Sequence, residues 1–281
     1  MNSTVYILGG TGFVGRYLHK RLINTDGVDS YVVSRNSDIV CDLADDNFEP
    51  FLKQVKSGDT LVFLAAVSSP DQCKTHYELS YRTNVTNTIS LINKLNELGV
   101  RVIFSSSDVV FGQSSYECYE ATPLCPMGEY GVMKAEVEEK ISALDNVKVV
   151  RFSYIVGPGD SYFSMLERAV EEGEEVQVFS GFLRSIVTID DVIDGLVALT
   201  EKWSDFPLKV VNFCGPLLVS REQLTLEIAD KLLPDLKFRA IEAPEGFWDA
   251  RPKSINMMSD YFEDLLERPV TGLNNIYKMW R

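Results

Sequence analysis

Hydrophobic and polar positions follow two different periods along the first half of the chain. Short apolar runs are typical of buried strands, whereas apolar residues at every third or fourth position are typical of helices. The predicted strands are Val5–Leu8, Ser30–Ser34, Thr60–Leu64, Arg101–Ser105 and Val147–Phe152. The predicted helices that alternate with them are Phe13–Ile23, Phe48–Lys56, Val85–Leu98 and Tyr130–Leu144. This alternation predicts an α/β fold, a Rossmann-type doubly wound parallel sheet with right-handed crossovers.

The second half of the chain has a less regular pattern. It begins at a Gly157-Pro158-Gly159 turn and finishes in a segment that reads as rich in loops. Its predicted elements are the helices Ser164–Glu172, Val192–Thr200 and Glu222–Leu233 and the strand Val210–Phe213. Because no Ser/Gly-rich linker separates independent domains, we expect two interleaved lobes. The larger comprises residues 1–155 and 184–214, and a smaller C-terminal lobe comprises residues 156–183 and 215–281.

Charge and composition narrow the classes of partner. The 281 residues include 27 Lys plus Arg against 41 Asp plus Glu, for a formal net charge of −14. Such a surface repels phosphate backbones, so no nucleic-acid role is expected. Five scattered cysteines and two histidines make a metal site improbable. No apolar run is long enough for a bilayer and the N-terminal residues form no export signal, so we expect no membrane association and a cytoplasmic protein.

A glycine-rich segment follows the first predicted strand and opens the first predicted helix. Gly10-Thr11-Gly12-Phe13-Val14-Gly15 satisfies the G-x-G-x-x-G pattern, and with Gly9 it also contains glycines at every third position. Glycines permit a tight turn and a close approach of the backbone to a pyrophosphate, which the amides of the helix N-terminus then bind. The context therefore predicts a dinucleotide site.

The end of the second predicted strand distinguishes the two nicotinamide cofactors. NAD sites place a carboxylate about 20 residues after the turn, where it accepts from the ribose 2′-hydroxyl. Here that position contains Ser34 and Arg35 instead. Because a guanidinium suits a 2′-phosphate, we expect NADP(H) rather than NAD(H) in the larger lobe.

Tyr130 and Lys134 are four residues apart on a predicted helix and therefore share one face. Lowering the pKa of a tyrosine from about 10 to about 7 requires ~4 kcal/mol. A Lys ammonium at ~4 Å supplies about that amount at an effective dielectric constant of ~20. We therefore expect Lys134 to lower the pKa of Tyr130 and to make it an acid or base.

These motifs together resemble the extended short-chain dehydrogenase/reductases over nearly the whole chain. The glycine turn, Ser105-Ser106-Ser107, the Tyr130-x-x-x-Lys134 motif and the stretch Arg184 to Val192 carry the likeness. Ser106 to Phe111 and Arg251-Pro252 are most similar to dTDP-4-dehydrorhamnose reductases. The resemblance implies catalytic roles for Ser107, Tyr130 and Lys134. It implies cofactor contacts at Gly9, Gly10, Thr11, Gly12, Phe13, Val14, Gly15, Ser34, Arg35, Asp42, Leu43, Ala65, Ala66, Asn84, Tyr130 and Lys134.

The resemblance also implies a substrate side. Its expected residues are Ser68, Ser107, Asp108, Arg184 and Arg251. In the family the two arginines bind the diphosphate of a nucleotide-sugar, although each could instead be an exposed ion-pair partner. The related 4,6-dehydratases have a Glu after the Asp, whereas this chain has Val109, which cannot transfer a proton. Dehydration is therefore disfavoured.

The resulting hypothesis is NADPH-dependent reduction of a keto group on a nucleotide-activated deoxysugar, with Tyr130 as proton donor and Ser107 orienting the oxygen. The alternatives are a nucleotide-sugar 4-epimerase that retains its cofactor and a non-catalytic NADP-binding regulatory subunit. The apolar faces of helices 85–98 and 130–144 fit either a homodimer interface or burial within one subunit.

Overall fold

The computed structural model describes residues 3–46 and 48–280, and its strands and helices are numbered in chain order. The strands are β1 (Ser3–Leu8), β2 (Val28–Ser34), β3 (Ile39–Val40), β4 (Thr60–Phe63), β5 (Arg101–Ser107), β6 (Glu117–Cys118), β7 (Val147–Phe152), β8 (Ile155–Val156), β9 (Glu175–Phe179), β10 (Leu183–Arg184), β11 (Val187–Thr188), β12 (Val210–Phe213), β13 (Val219–Ser220), β14 (Lys237–Ile241) and β15 (Ser254–Met257). The α-helices are α1 (Phe13–Leu22), α2 (Glu49–Leu52), α3 (Pro70–Thr75), α4 (Tyr77–Tyr81), α5 (Thr88–Glu97), α6 (Gly128–Ile141), α7 (Ser161–Glu172), α8 (Ile189–Glu201), α9 (Arg221–Lys231) and α10 (Phe262–Leu266).

Seven parallel strands form the central sheet in the order β12-β7-β5-β4-β1-β2-β3. The chain winds outward in one direction from β1 through β2 to β3, and in the other direction from β4 onward. The winding therefore reverses between β1 and β4, and ligands bind at the carboxyl ends of the strands beside such a reversal. The predicted Rossmann-type sheet is confirmed.

Helices cover both faces of this sheet and bury its apolar side chains. On one face the buried positions of α5 and α6 join a single core, namely Leu91, Ile92, Leu95, Met133, Val137 and Ile141. On the other face α1 and α8 pack together over Ile7 and Val62. The apolar faces of α5 and α6 are thus buried within one subunit, and the dimer through these helices stays a prediction.

A smaller layer lies beside the carboxyl ends of the central strands. It contains the four-stranded sheet β13-β10-β15-β6 and the parallel pair β14–β9. Helices α7 and α9 pack there around Phe163, Leu166 and Ile228. The segment after residue 233, which reads as loops, therefore contributes two strands to this layer. The lobe boundaries stay a prediction.

Two predicted helices differ from those in the structure. The expected Phe48–Lys56 helix is reduced to α2: the Gln54 amide donates to the Phe51 carbonyl at 2.9 Å, three residues back instead of four, and the Lys56 amide donates to Asp59 Oδ2 at 2.8 Å. The expected Val85–Leu98 helix is α5 preceded by a π-helical turn, Arg82–Asn87. In the described ranges, no helix has the length and apolarity that crossing a membrane requires.

Candidate active site

The turn between β1 and α1 is shaped for close backbone approach. Gly9 has a φ of +89°, and a Cβ there would lie 2.8 Å from the Ala65 backbone nitrogen. A Cβ on Gly15 would lie 2.4 Å from the Gly9 carbonyl oxygen. Gly12 precedes α1 without a capping side chain. The first amides of α1 have no intrahelical acceptor, so they form an anion-binding end of the helix.

A cleft of about 990 Å³ extends from this turn along the carboxyl ends of the central strands. It brings together most of the residues that the sequence assigns to cofactor or reaction. Those in its lining are Gly9, Thr11, Gly12, Phe13, Val14, Gly15, Ser34, Arg35, Asp42, Leu43, Ala65, Ala66, Ser68, Ser107 and Tyr130. A cleft of this size, with free amides at one end and a Ser–Tyr pair in its wall, fits a dinucleotide.

Arg35 is exposed at the rim of the cleft, next to Ser34. Within residues 3–46 and 48–280, no carboxylate forms an ion pair with it. Its guanidinium is therefore available to a phosphate. Gly10 lies outside the described lining; a Cβ there would lie 2.8 Å from Val32 Cγ1, so this glycine permits close packing on β2.

The π-helical turn Arg82–Asn87 forms side-chain hydrogen bonds with two loops of the cleft. Asn84 Oδ1 accepts from the Val67 amide at 2.8 Å, and its Nδ2 donates to the Val67 carbonyl at 2.9 Å. Asn87 Nδ2 donates to the Leu43 carbonyl at 2.8 Å. Val67 and Leu43 both line the cleft. Asn84 thus holds the loop after β4 that contains Val67. The contact of Asn87 with the Leu43 carbonyl was not predicted from the sequence. Its only signal there is a polar side chain among the apolar positions of the predicted Val85–Leu98 helix.

Tyr130 and Lys134 lie on α6 beside the end of β5. Lys134 is 2% exposed, and its Nζ donates to the Ser105 carbonyl at 2.6 Å. That nitrogen is 5.8 Å from the centre of the Tyr130 ring. Burial lowers the pKa of Lys134 to about 7, although Glu138 and Cys73 act in the opposite direction. The charged form of Lys134 is therefore unfavourable in the chain without a bound ligand.

The pKa of Tyr130 differs from the expectation drawn from Lys134. Burial raises this pKa above its ordinary value, and the neighbouring Cys73 and Asp108 raise it further. The expected lowering was wrong for the chain by itself, because desolvation of the phenolate outweighs the ammonium on the next turn of the helix. Tyr130 consequently retains its proton at neutral pH.

Ser107 and Asp108 stand at the carboxyl end of β5. Ser107 Oγ donates to Asp108 Oδ1 at 3.2 Å, and Ser153 Oγ donates to Asp108 Oδ2 at 3.4 Å. Arg184 Nε lies 3.3 Å from the same Oδ2. Burial raises the pKa of Asp108, while Arg184 and the two serines lower it. The carboxylate lies behind Ser107 and outside the described lining of the cleft.

The two predicted diphosphate ligands both have partners within the chain. Arg184 is 4% exposed, and its Nη atoms donate to the carbonyls of Leu183, Pro252 and Lys253 at 2.7 to 3.1 Å. Arg251 Nη2 pairs with Asp71 Oδ2 at 2.7 Å. Neither side chain is in the described lining of the cleft. Their contact with a substrate stays a prediction.

A buried ion pair anchors α6 to the sheet. Arg151 on β7 donates to both carboxylate oxygens of Glu138, at 2.7 to 3.1 Å, and both side chains are buried. The fork geometry satisfies the carboxylate at two points. Because Glu138 is one turn after Lys134, this pair fixes the helix that carries Tyr130 and Lys134.

Comparison with known proteins identifies the family. Residues 5–213 match the NAD dependent epimerase/dehydratase family. The chain belongs to this family. This epimerase/dehydratase-family chain is 29% identical, over 97% of its length, to N-acetyl-alpha-D-glucosaminyl-diphospho-ditrans,octacis-undecaprenol 4-epimerase of Escherichia coli O157:H7, and the match covers 82% of that protein. It is 24% identical over 74% of its length to UDP-glucuronic acid decarboxylase 1 of Xenopus tropicalis and covers 56% of that protein.

Solved structures confirm the fold. The structure of MoeE5 in complex with UDP-glucuronic acid and NAD superposes with a TM-score of 0.83 at 25% identity, over 99% of this chain and 97% of that one. A dTDP-4-dehydrorhamnose reductase from Yersinia enterocolitica superposes with a TM-score of 0.86 at 20% identity, over 100% of both chains. The predicted membership of the extended short-chain dehydrogenase/reductases is confirmed.

Proposed function

We propose that this chain is an NADP(H)-dependent reductase of a keto group on a nucleotide-activated sugar, with Tyr130 as the proton donor. The observation that carries the proposal is the single cleft, whose lining includes the glycine turn, Arg35, Ser107 and Tyr130. Such an arrangement suits a dinucleotide bound with its phosphates at α1 and its reactive ring beside the Ser–Tyr pair.

The cofactor would be held by groups already present in the chain. The amides at the start of α1 suit the pyrophosphate, and the unpaired Arg35 suits a 2′-phosphate. Lys134 would bind the ribose next to the nicotinamide, and the hydroxyl oxygens of that ribose would accept hydrogen bonds from the Lys134 ammonium. When bound, NADPH supplies the hydride for the carbonyl carbon.

The chain's own residues account for the proton and the orientation of the carbonyl. Tyr130 has a proton at neutral pH, as a tyrosine of ordinary pKa also does, and burial raises its pKa further; a proton donor requires this protonated form. Ser107, at the end of β5, orients the reacting oxygen toward Tyr130. Val109 is apolar, so the neighbouring position offers no acid or base for elimination of water. Reduction therefore fits this set better than dehydration.

A second candidate is a nucleotide-sugar 4-epimerase. It is favoured by the relative from Escherichia coli O157:H7, which is named as a 4-epimerase and matches over 97% of this chain. The same Ser107, Tyr130 and Lys134 would serve both reactions. The two differ in whether NADPH is consumed, because an epimerase restores its cofactor within each turnover.

The test follows NADPH absorbance in the wild type and in Tyr130→Phe, with UDP- and dTDP-linked 4-keto sugars as substrates. We expect the wild type to consume NADPH in preference to NADH. Tyr130→Phe should bind NADPH normally but turn over at least 100-fold more slowly, since acid catalysis contributes about 10²–10⁴. Tyr116→Phe, which removes the hydroxyl of an exposed tyrosine, is the matched control. An active Tyr130→Phe would contradict the mechanism, and sugar interconversion without net NADPH loss would establish the epimerase.

A further inference from the structure

Arg221, the first residue of α9, occupies an unusual position in the smaller layer. Its amide donates to the Phe182 carbonyl at 2.9 Å, which places it beside β10. The carbon of its guanidinium lies 4.3 Å from the ring centres of both Tyr162 and Phe182 and 5.0 Å from that of Tyr154. Three rings thus contact one cation, which holds the side chain of this partly exposed residue in place.

The hydrogen-bonding capacity of this guanidinium is incompletely used. Arg221 Nε is buried without a partner, and across residues 3–46 and 48–280 no carboxylate pairs with Arg221. Asp160 attracts it, but that carboxylate already accepts from the amides of Gly157, Tyr162 and Phe163. A desolvated donor without an acceptor is costly, so the site favours an incoming oxygen atom.

The neighbouring arginines do not offer the same capacity. Arg184 also lies against Phe182, at 4.2 Å from the ring centre, but its donors are held by Asp108 and by backbone carbonyls. Arg251 pairs with Asp71. Burial and the nearby Arg221 lower the pKa of Arg184, while Asp108 raises it. Asp108 and Asp160 lie near these two arginines, but neither carboxylate satisfies the buried Nε of Arg221, so an incoming anion would satisfy that donor.

Arg221, like Arg184 and Arg251, lies outside the described lining of the cleft, but one of its ring contacts connects it to residues of that lining. Tyr154, one of its three rings, lies between Ser153 and Ile155, and both of those residues line the cleft. Ser153 in turn donates to Asp108, which accepts from Ser107. An oxyanion at Arg221 would therefore belong to a molecule that extends from the Ser–Tyr pair into the smaller layer.

We infer that Arg221 binds an oxyanion of the substrate and is an anion-binding side chain of the smaller layer. This inference rests on the proposed nucleotide-sugar function. The oxyanion has two possible sources, the diphosphate of the nucleotide or the carboxylate of a uronic sugar. A planar guanidinium donates to either one through two nitrogens.

The experiment measures binding by calorimetry for the wild type, Arg221→Gln and Arg221→Lys. The ligands are UDP, dTDP, UDP-glucose and UDP-glucuronic acid, and NADPH binding and thermal midpoint are recorded for each variant. We expect Arg221→Gln to raise the Kd of the diphosphates by about 10- to 100-fold, as for a lost charged hydrogen bond, with NADPH affinity unchanged. Arg221→Lys keeps a cation among the rings, so we expect a smaller rise in the Kd. Arg239→Gln, which removes an exposed arginine of β14, is the matched control.

The pattern of losses identifies the oxyanion. An equal loss for all diphosphates indicates the phosphate, whereas a loss confined to UDP-glucuronic acid indicates the carboxylate. If the wild type binds these ligands and both Arg221 variants bind them equally well, the inference is overturned while the proposed function stands. If the wild type binds none of them, the nucleotide-sugar function fails, and the inference fails with it.

Discussion

Replacing Lys134 by methionine removes a buried charge that the fold holds at a cost. Burial lowers the pKa of this lysine from its ordinary 10.5 to about 7. At ~1.36 kcal/mol per pKa unit, that difference disfavours the charged form in the folded chain by about 5 kcal/mol. The unfolded chain holds the proton up to pH 10.5, whereas the folded chain releases it near pH 7. The penalty is therefore complete below pH 7 and disappears as the pH rises toward 10.5.

We therefore expect Lys134→Met to be more stable than the wild type and catalytically inactive. The variant also loses the hydrogen bond to the Ser105 carbonyl, which reduces its gain in unfolding free energy by about 1–3 kcal/mol at every pH. The change of this gain with pH is therefore the informative quantity. The stability gain should fall by about 3 kcal/mol between pH 6 and pH 9. Urea unfolding of both proteins at these two pH values measures it.

Lys140→Met, an exposed substitution near the end of the same helix, is the control and should change stability by less than about 0.5 kcal/mol. The reasoning is refuted if Lys134→Met is destabilised at pH 6 or if its gain is equal at both pH values. Either result would mean that the folded chain solvates or pairs this ammonium better than its surroundings indicate.

Two further predictions concern the cofactor turn and the anchoring of α6. Gly15→Ala places a methyl group 2.4 Å from the Gly9 carbonyl oxygen, so NADPH fluorescence titration should show at least about a tenfold loss of affinity. Gly12→Ala, whose nearest atom would be 3.2 Å away, should lose less; equal affinities would contradict this. Glu138→Gln leaves Arg151 buried without a counter-charge and should cost about 3–5 kcal/mol in urea unfolding. The apolar pair Glu138→Leu with Arg151→Met should recover most of that loss, and a double variant no more stable than the single one would argue against the ion pair.

The fold and the glycine turn after β1 could be predicted because their signals are local. The apolar run of β1, the glycines and the helix period of α1 are contiguous, and the reversal of winding follows from element order. The Tyr130–Lys134 pair was equally accessible, because one helical turn separates the two residues. The comparison with known proteins confirms the family that these motifs indicate.

The contacts that each side chain of the site makes could not be predicted, because they depend on residues distant in sequence. One ring that stacks on Arg221 belongs to Phe182, just before β10, and the carbonyls that hold Arg184 come in part from residues 252 and 253. The same holds for Tyr130, whose pKa is set by burial under several elements rather than by Lys134 alone. Periodicity shows that a residue faces inward, but it does not show which atoms it meets there.

The π-helical turn at Arg82–Asn87 supports two loops of the cleft at once. A π turn contains about one residue more than an α turn, so it rotates the residues after it by about 100° relative to a regular helix. Asn84 and Asn87 lie within this turn and bind Val67 and Leu43 from it. The two loops therefore share one support, and a displacement of this turn would move both of them.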